Sequence, residues 1–287
     1  MKFIGKLEKI KLSNPNKKIC IIIGDPVKHS LSPAMHNSAY KIANLGYIFD
    51  RLEVKENELE EFVVDLKEFN KKNNGVLVGL TCTMPHKINI IQYLDELKEE
   101  AKQIKAVNSV FFDGIKYIGY NTDWYGIERP FLERNIDLNS KKIAIIGAGG
   151  ASRACIYTFK VHNCEINIFN RTIEKAENLA NEFGCKAFNL YNNDDKIENC
   201  DIIVNMTNVG MGVLEEQAPI NTNILNKNHV VFECIYSPKE TKLIKESIKI
   251  GANVIYGWEM LLYQGVEQFK FYTGIEPNIN IMKEVLL

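Results

Sequence analysis

Lys141-Lys-Ile-Ala-Ile-Ile-Gly-Ala-Gly-Gly-Ala-Ser152 runs a short apolar stretch straight into a glycine-rich turn, and that junction decides the fold. Residues 141–147 read as a buried-type strand, too short for a helix and ended by a glycine. Gly147-Ala148-Gly149-Gly150-Ala151-Ser152 then fits the dinucleotide pattern, with Ser in the third small position. The first glycine permits the tight turn and the second lets a pyrophosphate approach the backbone. The N-terminus of the following helix supplies N–H groups and positive dipole. A glycine turn can also be a plain strand-to-helix connection; a strand before it and a helix after it favour a cofactor site.

The next diagnostic position lies about 20 residues on, where a carboxylate would bind the ribose 2′-hydroxyl of NAD. Here Asn167-Ile-Phe-Asn170-Arg171-Thr172 ends without one, and Lys175 follows one turn into the next helix. A carboxylate would repel a 2′-phosphate, whereas a guanidinium and a nearby ammonium pair with it. The pattern therefore points to NADP. The bland alternative is a solvated Arg171 beside Thr172 acting only as an N-cap. Strand patterns at 166–169, 202–205 and 230–233, separated by helical segments, continue a βαβ series and predict a parallel sheet in a domain that begins near 141.

Upstream the pattern is again strand, then helix. Residues 18–23 form a β-branched run ended by Gly24-Asp25-Pro26. A helix is predicted to start at Ser32-Pro33, Ser32 as N-cap and Pro33 as its first residue. A strand at 47–54, a helix at 57–69 and an extended run at 76–83, broken by Pro85, follow. A charged helix is predicted at 94–104, and runs at 107–112 and 117–120 flank Asp113-Gly114, a hairpin signal. The residues before Lys18 read as an added edge strand, and a closing helix occupies 258–272.

The whole chain, 287 residues with 46% hydrophobic and 25% charged side chains, suggests about two domains. Its 35 Lys and Arg against 36 Asp and Glu give a net charge of −1, so no overall field exists to hold nucleic acid or an anionic membrane. No signal-peptide core opens the sequence, and no stretch has the ~18 apolar residues of a spanning helix. Seven widely spaced cysteines, with no Cys-x-x-Cys, fit reduced thiols in a cytoplasm rather than a disulfide framework or a zinc site. His29, His36 and His86 form no metal spacing.

Further segments fall in one order: His29-Ser30-Leu31-Ser32-Pro33, Thr83-Met84-Pro85-His86-Lys87, Ala106-Val107-Asn108-Ser109, Gly119-Tyr120-Asn121-Thr122-Asp123 with Gly126, the glycine loop, Asn170-Arg171-Thr172, and Met260-Leu261-Leu262-Tyr263-Gln264-Gly265. Together they resemble the shikimate dehydrogenase family, including its quinate/shikimate branch, from residue 24 to about 274. The resemblance implies an α/β chain with a substrate domain over 1–125, a Rossmann-type doubly wound NADP-binding domain over 126–257, and C-terminal helices over 258–287 packing back on the first. The substrate is then held in a cleft between the domains. It implies the reversible NADPH-dependent reduction of 3-dehydroshikimate to shikimate, toward chorismate and the aromatic amino acids. Carried onto this chain, Lys87 and Asp123 are the catalytic pair. Ser30, Ser32, Thr83, Asn108, Tyr236 and Gln264 join them in contacting substrate. The glycine loop, Asn170, Arg171, Thr172, Lys175 and Gly257 contact the cofactor. A homodimer is a possible assembly.

The chemistry supports those roles. Taking a hydride from a secondary alcohol needs a group that accepts the hydroxyl proton, and the reverse needs a donor near the developing alkoxide. Lys87 can be both. It follows a strand and a Pro-interrupted turn, where α/β sheets expose their sites. Asp123 and Ser32 could instead be plain cap or turn residues. Ser30 has no such structural use, and Gln264 in an apolar helix is costly if unpartnered.

Three positions depart from the family pattern. Thr81 stands where Asn is usual, replacing an amide that donates to a substrate hydroxyl; Glu233 stands where Asp is common, and Asn208 replaces a proline. These lean toward the quinate/shikimate branch, yet Asn170-Arg171-Thr172 lacks the acid that favours NAD there. The alternatives are therefore a quinate/shikimate dehydrogenase using NAD or NADP, and a non-catalytic shikimate- or nucleotide-binding paralogue.

Overall fold

Lys18-Ile-Cys-Ile-Ile-Ile-Gly24 is buried at every position after its lysine, which is the pattern of a strand covered on both faces. In the computed structural model, which describes residues 1–287, this run is the strand β1 (Lys18–Gly24), flanked by β2 (Tyr47–Glu53) and β3 (Leu77–Cys82). With β4 (Glu96–Leu97), β5 (Ser109–Phe112) and β6 (Tyr117–Tyr120) it makes one six-stranded sheet in the order β2-β1-β3-β5-β6-β4. β1 is parallel to both neighbours, β5 runs antiparallel to β3 and β6, and β4 is parallel to β6. Helices α1 (Ile4–Ser13), α2 (Ser32–Ile42), α3 (Leu59–Lys72) and α4 (Glu99–Ile104) accompany it.

Three expectations fail in this half, each for a physical reason. The segment before Lys18 is a helix, not an edge strand. Phe3 and Leu7 are fully buried at a spacing of four, a helical period, and Phe3 sets its ring edge-on to Phe62 at 5.5 Å. Residues 94–104 are not one helix: Asp95 exchanges bonds with the Tyr117 backbone, its N–H donating to Tyr117 O (3.0 Å) and its carboxylate accepting from Tyr117 N (2.8 Å). That pairing draws 96–97 into the sheet and delays the helix to Glu99. Finally, α2 is capped by Leu31, so Ser32 is its first residue and Pro33 its second; Ser30 Oγ takes the Ser32 N–H at 3.3 Å.

The second sheet is parallel throughout. Its strands are β7 (Lys142–Ile146), β8 (Glu165–Asn170), β9 (Lys186–Asn189), β10 (Ile202–Asn205), β11 (Val230–Glu233) and β12 (Asn253–Ile255), in the order β12-β11-β10-β7-β8-β9. Starting from its first strand in the chain, the order reverses between β7 and β10, the doubly wound arrangement that leaves a crevice beyond the strand ends. Helices α5 (Asp123–Glu133), α6 (Gly150–Val161), α7 (Ile173–Phe183), α8 (Asp194–Glu198) and α9 (Lys242–Ile250) belong with it. Ile143, Ile145 and Ile146 are fully buried, and burying each such side chain contributes about 1.5–3 kcal/mol. The short strands β9 and β12 went unread because each has only a few residues of mixed polarity.

The chain closes with α10 (Gly257–Thr273) and α11 (Ile279–Glu284). Two compact units result: Met1–Thr122 with Gln264–Leu287, and Asp123–Tyr263. In the first, a side chain on Gly265 would lie 2.2 Å from Met35 Cε, so glycine lets α10 approach α2. No helix is long and apolar enough to cross a membrane.

Candidate active site

In the first unit the register Thr81↔Ser109↔Tyr120 brings the end of β3, the start of β5 and the end of β6 to one edge of the sheet. Thr83–Lys87, Asn108 and Asn121–Thr122 therefore gather there although they are far apart in the chain. Gly24, at the end of β1, makes room: a Cβ on it would stand 2.3 Å from Thr83 Cγ2 and 2.9 Å from Met84 O. Thr83 N donates to Ile23 O (3.0 Å) and Asp25 N to Met84 O (3.0 Å). Fully buried His86 presents Nε2 to Val54 O at 2.7 Å. The Lys87 carbonyl accepts from Val107 N at 2.7 Å. The loop that carries half-buried Lys87 is thus held at both ends by backbone bonds.

Asn108 is the hub of a buried polar cluster. Its Oδ1 accepts from Thr122 N (2.8 Å) and Ser109 Oγ (2.8 Å), and its Nδ2 donates to Thr122 Oγ1 (2.9 Å) and to Gln264 Oε1 (3.5 Å). Gln268 Nε2 donates to Ser109 Oγ at 2.8 Å, a contact the sequence reading missed because the partners lie 159 residues apart. Gln264 is buried, as its place in an apolar helix predicts, and Asn108 is one partner. Ser30 and Thr83 are half-buried, and Ser32 is buried. Thr81 is only 5% exposed, and its hydroxyl is engaged with Tyr272 Oη at 3.0 Å. A further concave surface of this unit lies among Lys18, Lys67, Phe112 and Thr273 and is lined by none of the expected site residues.

In the second unit Gly147 has φ +112, and a Cβ there would lie 2.9 Å from Thr207 Cγ2 and 3.0 Å from Met206 O. This left-handed turn pressed against the end of β10 requires glycine. Gly149 caps α6 in extended geometry with open space where its Cβ would be, so the backbone is accessible from that side. Ser152 is fully buried and ties the loop, donating to Gly147 O (2.9 Å) and accepting from Gly149 N (3.1 Å). Ala148, Gly150 and Ala151 are half-buried around it. The turn is set beside β8 by Gly147 N donating to Phe169 O (2.8 Å).

Beyond β8, Asn170 Nδ2 holds Thr172 O at 2.7 Å. Thr172 is the N-cap of α7, but its hydroxyl makes no capping bond. Arg153 is committed to a bidentate pair with Glu182, both contacts 2.7 Å. Arg171 and Lys175 are exposed and no carboxylate pairs with either. The residues present therefore suit a phosphorylated dinucleotide: a turn a side chain would block, a twelve-residue helix behind it, and two uncommitted cations past the second strand. Gly257 is buried where a Cβ would meet Ile235 O at 2.2 Å, pinning the 234–236 segment; Tyr236 is half-buried there, and burial pushes its hydroxyl up. Asp123 is buried at the first turn of α5, directly after Thr122.

A doubly wound parallel sheet with a glycine turn at its switch point is the fold and site of the dinucleotide-dependent dehydrogenases. Comparison with known proteins narrows this class. Family profiles match residues 22–110 as shikimate dehydrogenase substrate binding domain, 131–232 as shikimate/quinate 5-dehydrogenase, and 257–287 as shikimate 5′-dehydrogenase C-terminal domain. Shikimate dehydrogenase (NADP(+)) of Methanococcus maripaludis is 42% identical over 280 residues, 96% of this chain and 98% of that protein. A crystal structure of a shikimate dehydrogenase in complex with NADP+ superposes with TM-score 0.87 at 39% identity, covering 95% of this chain and 96% of the other. The quinate dehydrogenase of Corynebacterium glutamicum in complex with NAD is similar at TM-score 0.85 but 26% identity, covering 94% and 98%. The chain belongs to the shikimate dehydrogenase family.

Proposed function

We propose that this protein is an NADP-dependent shikimate dehydrogenase that reversibly reduces 3-dehydroshikimate to shikimate. The observation that carries the reading is the end of β8, where Arg171 and Lys175 stand exposed and unpaired and no carboxylate opposes a 2′-phosphate. Relatives at about 40% identity over nearly the whole chain carry the NADP-specific name. The quinate reading has support in a quinate dehydrogenase in complex with NAD at 26% identity, a cofactor with no 2′-phosphate for these cations. A purely binding role would have no use for a proton-transfer lysine.

In this reading the first unit takes the substrate and the second the dinucleotide. NADPH, when bound, supplies the hydride. Gly147 to Ser152 would cradle its pyrophosphate, with Arg171 and Lys175 on the 2′-phosphate, Asn170 and Thr172 beside them and Gly257 at the other end. Lys87 gives a proton to the oxygen formed from the carbonyl and recovers it in the reverse direction, with Asp123 as the partner that orients it. Ser30, Ser32, Thr83, Asn108, Gln264 and Tyr236 hold the ring hydroxyls and carboxylate. The cluster around Asn108 supports this role, because its amide is pre-oriented by Thr122 and Ser109 before any ligand arrives. None of the seven cysteines is in a disulfide, and the location we propose for this enzyme is the reducing cytoplasm. The assembly to test for is a homodimer, by sedimentation equilibrium.

The deciding experiment is the initial rate of reduced-cofactor formation for shikimate and quinate, each with NADP⁺ and NAD⁺. A dominant shikimate/NADP⁺ rate is expected. Comparable quinate turnover or an NAD⁺ preference would overturn the substrate or cofactor assignment, and silence in all four from folded protein would overturn the enzymatic reading.

A further inference from the structure

Glu233, at the end of β11, is fully buried, and no cation pairs with it. A carboxylate in such a place is costly unless several donors reach it. Three groups do. Asn205 Nδ2, at the end of β10, donates to both oxygens (2.9 and 3.1 Å), Ile235 N to Oε1 (3.0 Å) and Thr241 Oγ1 to Oε2 (2.9 Å). The same Asn205 turns its Oδ1 to the N–H and hydroxyl of Thr207 (3.0 and 2.7 Å), and Thr207 Oγ1 in turn accepts from Val209 N (3.1 Å). Thr207 is the residue a Cβ on Gly147 would strike. On the other side, a Cβ on Gly210 would lie 3.2 Å from Thr241 and 3.3 Å from Ile235 Cδ1, so the 206–210 loop rests on the groups that Glu233 collects.

We propose that Glu233 is a positioning residue for the dinucleotide: through Asn205 it sets the 206–210 loop against the glycine turn, and through Ile235 it sets the segment that meets Gly257. In these contacts both oxygens accept, and the two strand ends they join are those on the β10 side of the switch point. Glu233 touches neither substrate nor hydride; its effect is carried by Thr207 and the 234–236 backbone. The inference rests on the dinucleotide-binding reading of the second unit.

The test is the Glu233→Gln variant, which keeps the shape but turns one acceptor into a donor facing donors. NADPH affinity is measured by direct titration of cofactor fluorescence, alongside KM for NADP⁺, KM for shikimate and kcat. The expected result is a tenfold or greater loss in NADPH affinity and a matching rise in KM for NADP⁺, with KM for shikimate within twofold. A folded variant with NADPH affinity within twofold of the parent, or one that loses kcat and both KM values together, would overturn the assignment. If Glu233→Gln does not fold, Thr241→Val and Thr241→Ser decide. Valine removes the hydroxyl that holds Oε2 and that also accepts from Ile244 N (3.3 Å) at the start of α9, and is expected to weaken NADPH at least threefold, while serine restores both bonds and the affinity. Equal affinity in the two would overturn the proposal. A parent protein that itself fails to bind NADPH would overturn this proposal and the functional reading together, whereas normal parental binding with an unchanged variant overturns the Glu233 assignment alone.

Discussion

Lys87 and Arg171 carry the clearest expectations about single side chains. Replacing Lys87 with Ala removes the proton-transferring group, and kcat is expected to fall ~10²-fold or more; steady-state rates with shikimate and NADP⁺ measure it, and near-normal turnover would refute the catalytic role. Arg171→Ala is expected to weaken NADPH much more than NADH, because the residue is exposed, unpaired and positioned beyond β8; equal weakening of both would refute its contact with the 2′-phosphate. What was legible in the chain is their placement, each a charged residue just past the end of a short apolar strand. The role of Thr81 was not. It reads as a substrate donor standing in for an amide, yet its hydroxyl meets Tyr272, 191 residues away. Thr81→Val should therefore cost about 1 kcal/mol of stability, the worth of one buried hydrogen bond, and leave KM for shikimate within a few-fold. Denaturant unfolding beside steady-state kinetics checks this, and a collapse of shikimate affinity would return Thr81 to the substrate site.

Among the elements, the turn between β7 and α6 is the most constrained. Gly147→Ala places a methyl 2.9–3.0 Å from Thr207 and the Met206 carbonyl at a φ of +112, a backbone conformation that costs a non-glycine residue of order 1–3 kcal/mol. A lowered melting temperature and at least a tenfold loss of NADPH affinity are expected, by thermal denaturation and cofactor titration. Unchanged affinity would mean that the turn does not face the cofactor. The same junction was legible from six residues, since an apolar run ending in glycine, followed by small residues and a helix, has few other solutions. The strands at 202–205 and 230–233 were read to the residue, because both are short, apolar and bounded by polar positions. The N-terminal helix was misread since its buried face is only Phe3, Leu7 and the partly buried Ile10, too sparse a stripe to declare its period against a polar background. Residues 94–97 were misread because local helix propensity there yields to pairing with a strand 22 residues later.

Across the molecule, two buried groups make stability depend on pH in opposite senses. Burial lifts the Glu233 carboxyl from an ordinary 4.5 to about 7, against the pull of Ile235 N–H, Asn205 and Thr241. The folded state therefore holds this proton more tightly than the unfolded chain. Its contribution is complete below 4.5 and is lost as pH rises through 7, by about 3 kcal/mol. His36 behaves conversely. Burial against Phe49 and Phe269 pushes its imidazolium from 6.5 down to about 3, with Gln268 opposing, so its contribution is present above 6.5 and is lost as pH falls toward 3. The stability difference between the parent and Glu233→Gln is accordingly expected to shrink by about 3 kcal/mol between pH 4.5 and pH 8, measured by urea unfolding at both. A flat difference would show that Glu233 is not held against ionisation.

The α/β class, the dinucleotide turn, the leaning toward NADP and the family's ordered segments all came from residues near one another in the chain, where spacing, glycine placement and charge act over a turn or a strand. The mixed order of the first sheet, the gathering of Lys87, Asn108 and Thr122 at one edge, the bond from Thr81 to Tyr272 and the bond from Asn205 to Glu233 did not. Those depend on strand register and on helix α10 returning to the first unit. Each joins partners tens to hundreds of residues apart, whose meeting is set by burial of the whole apolar core rather than by any local preference of the residues themselves.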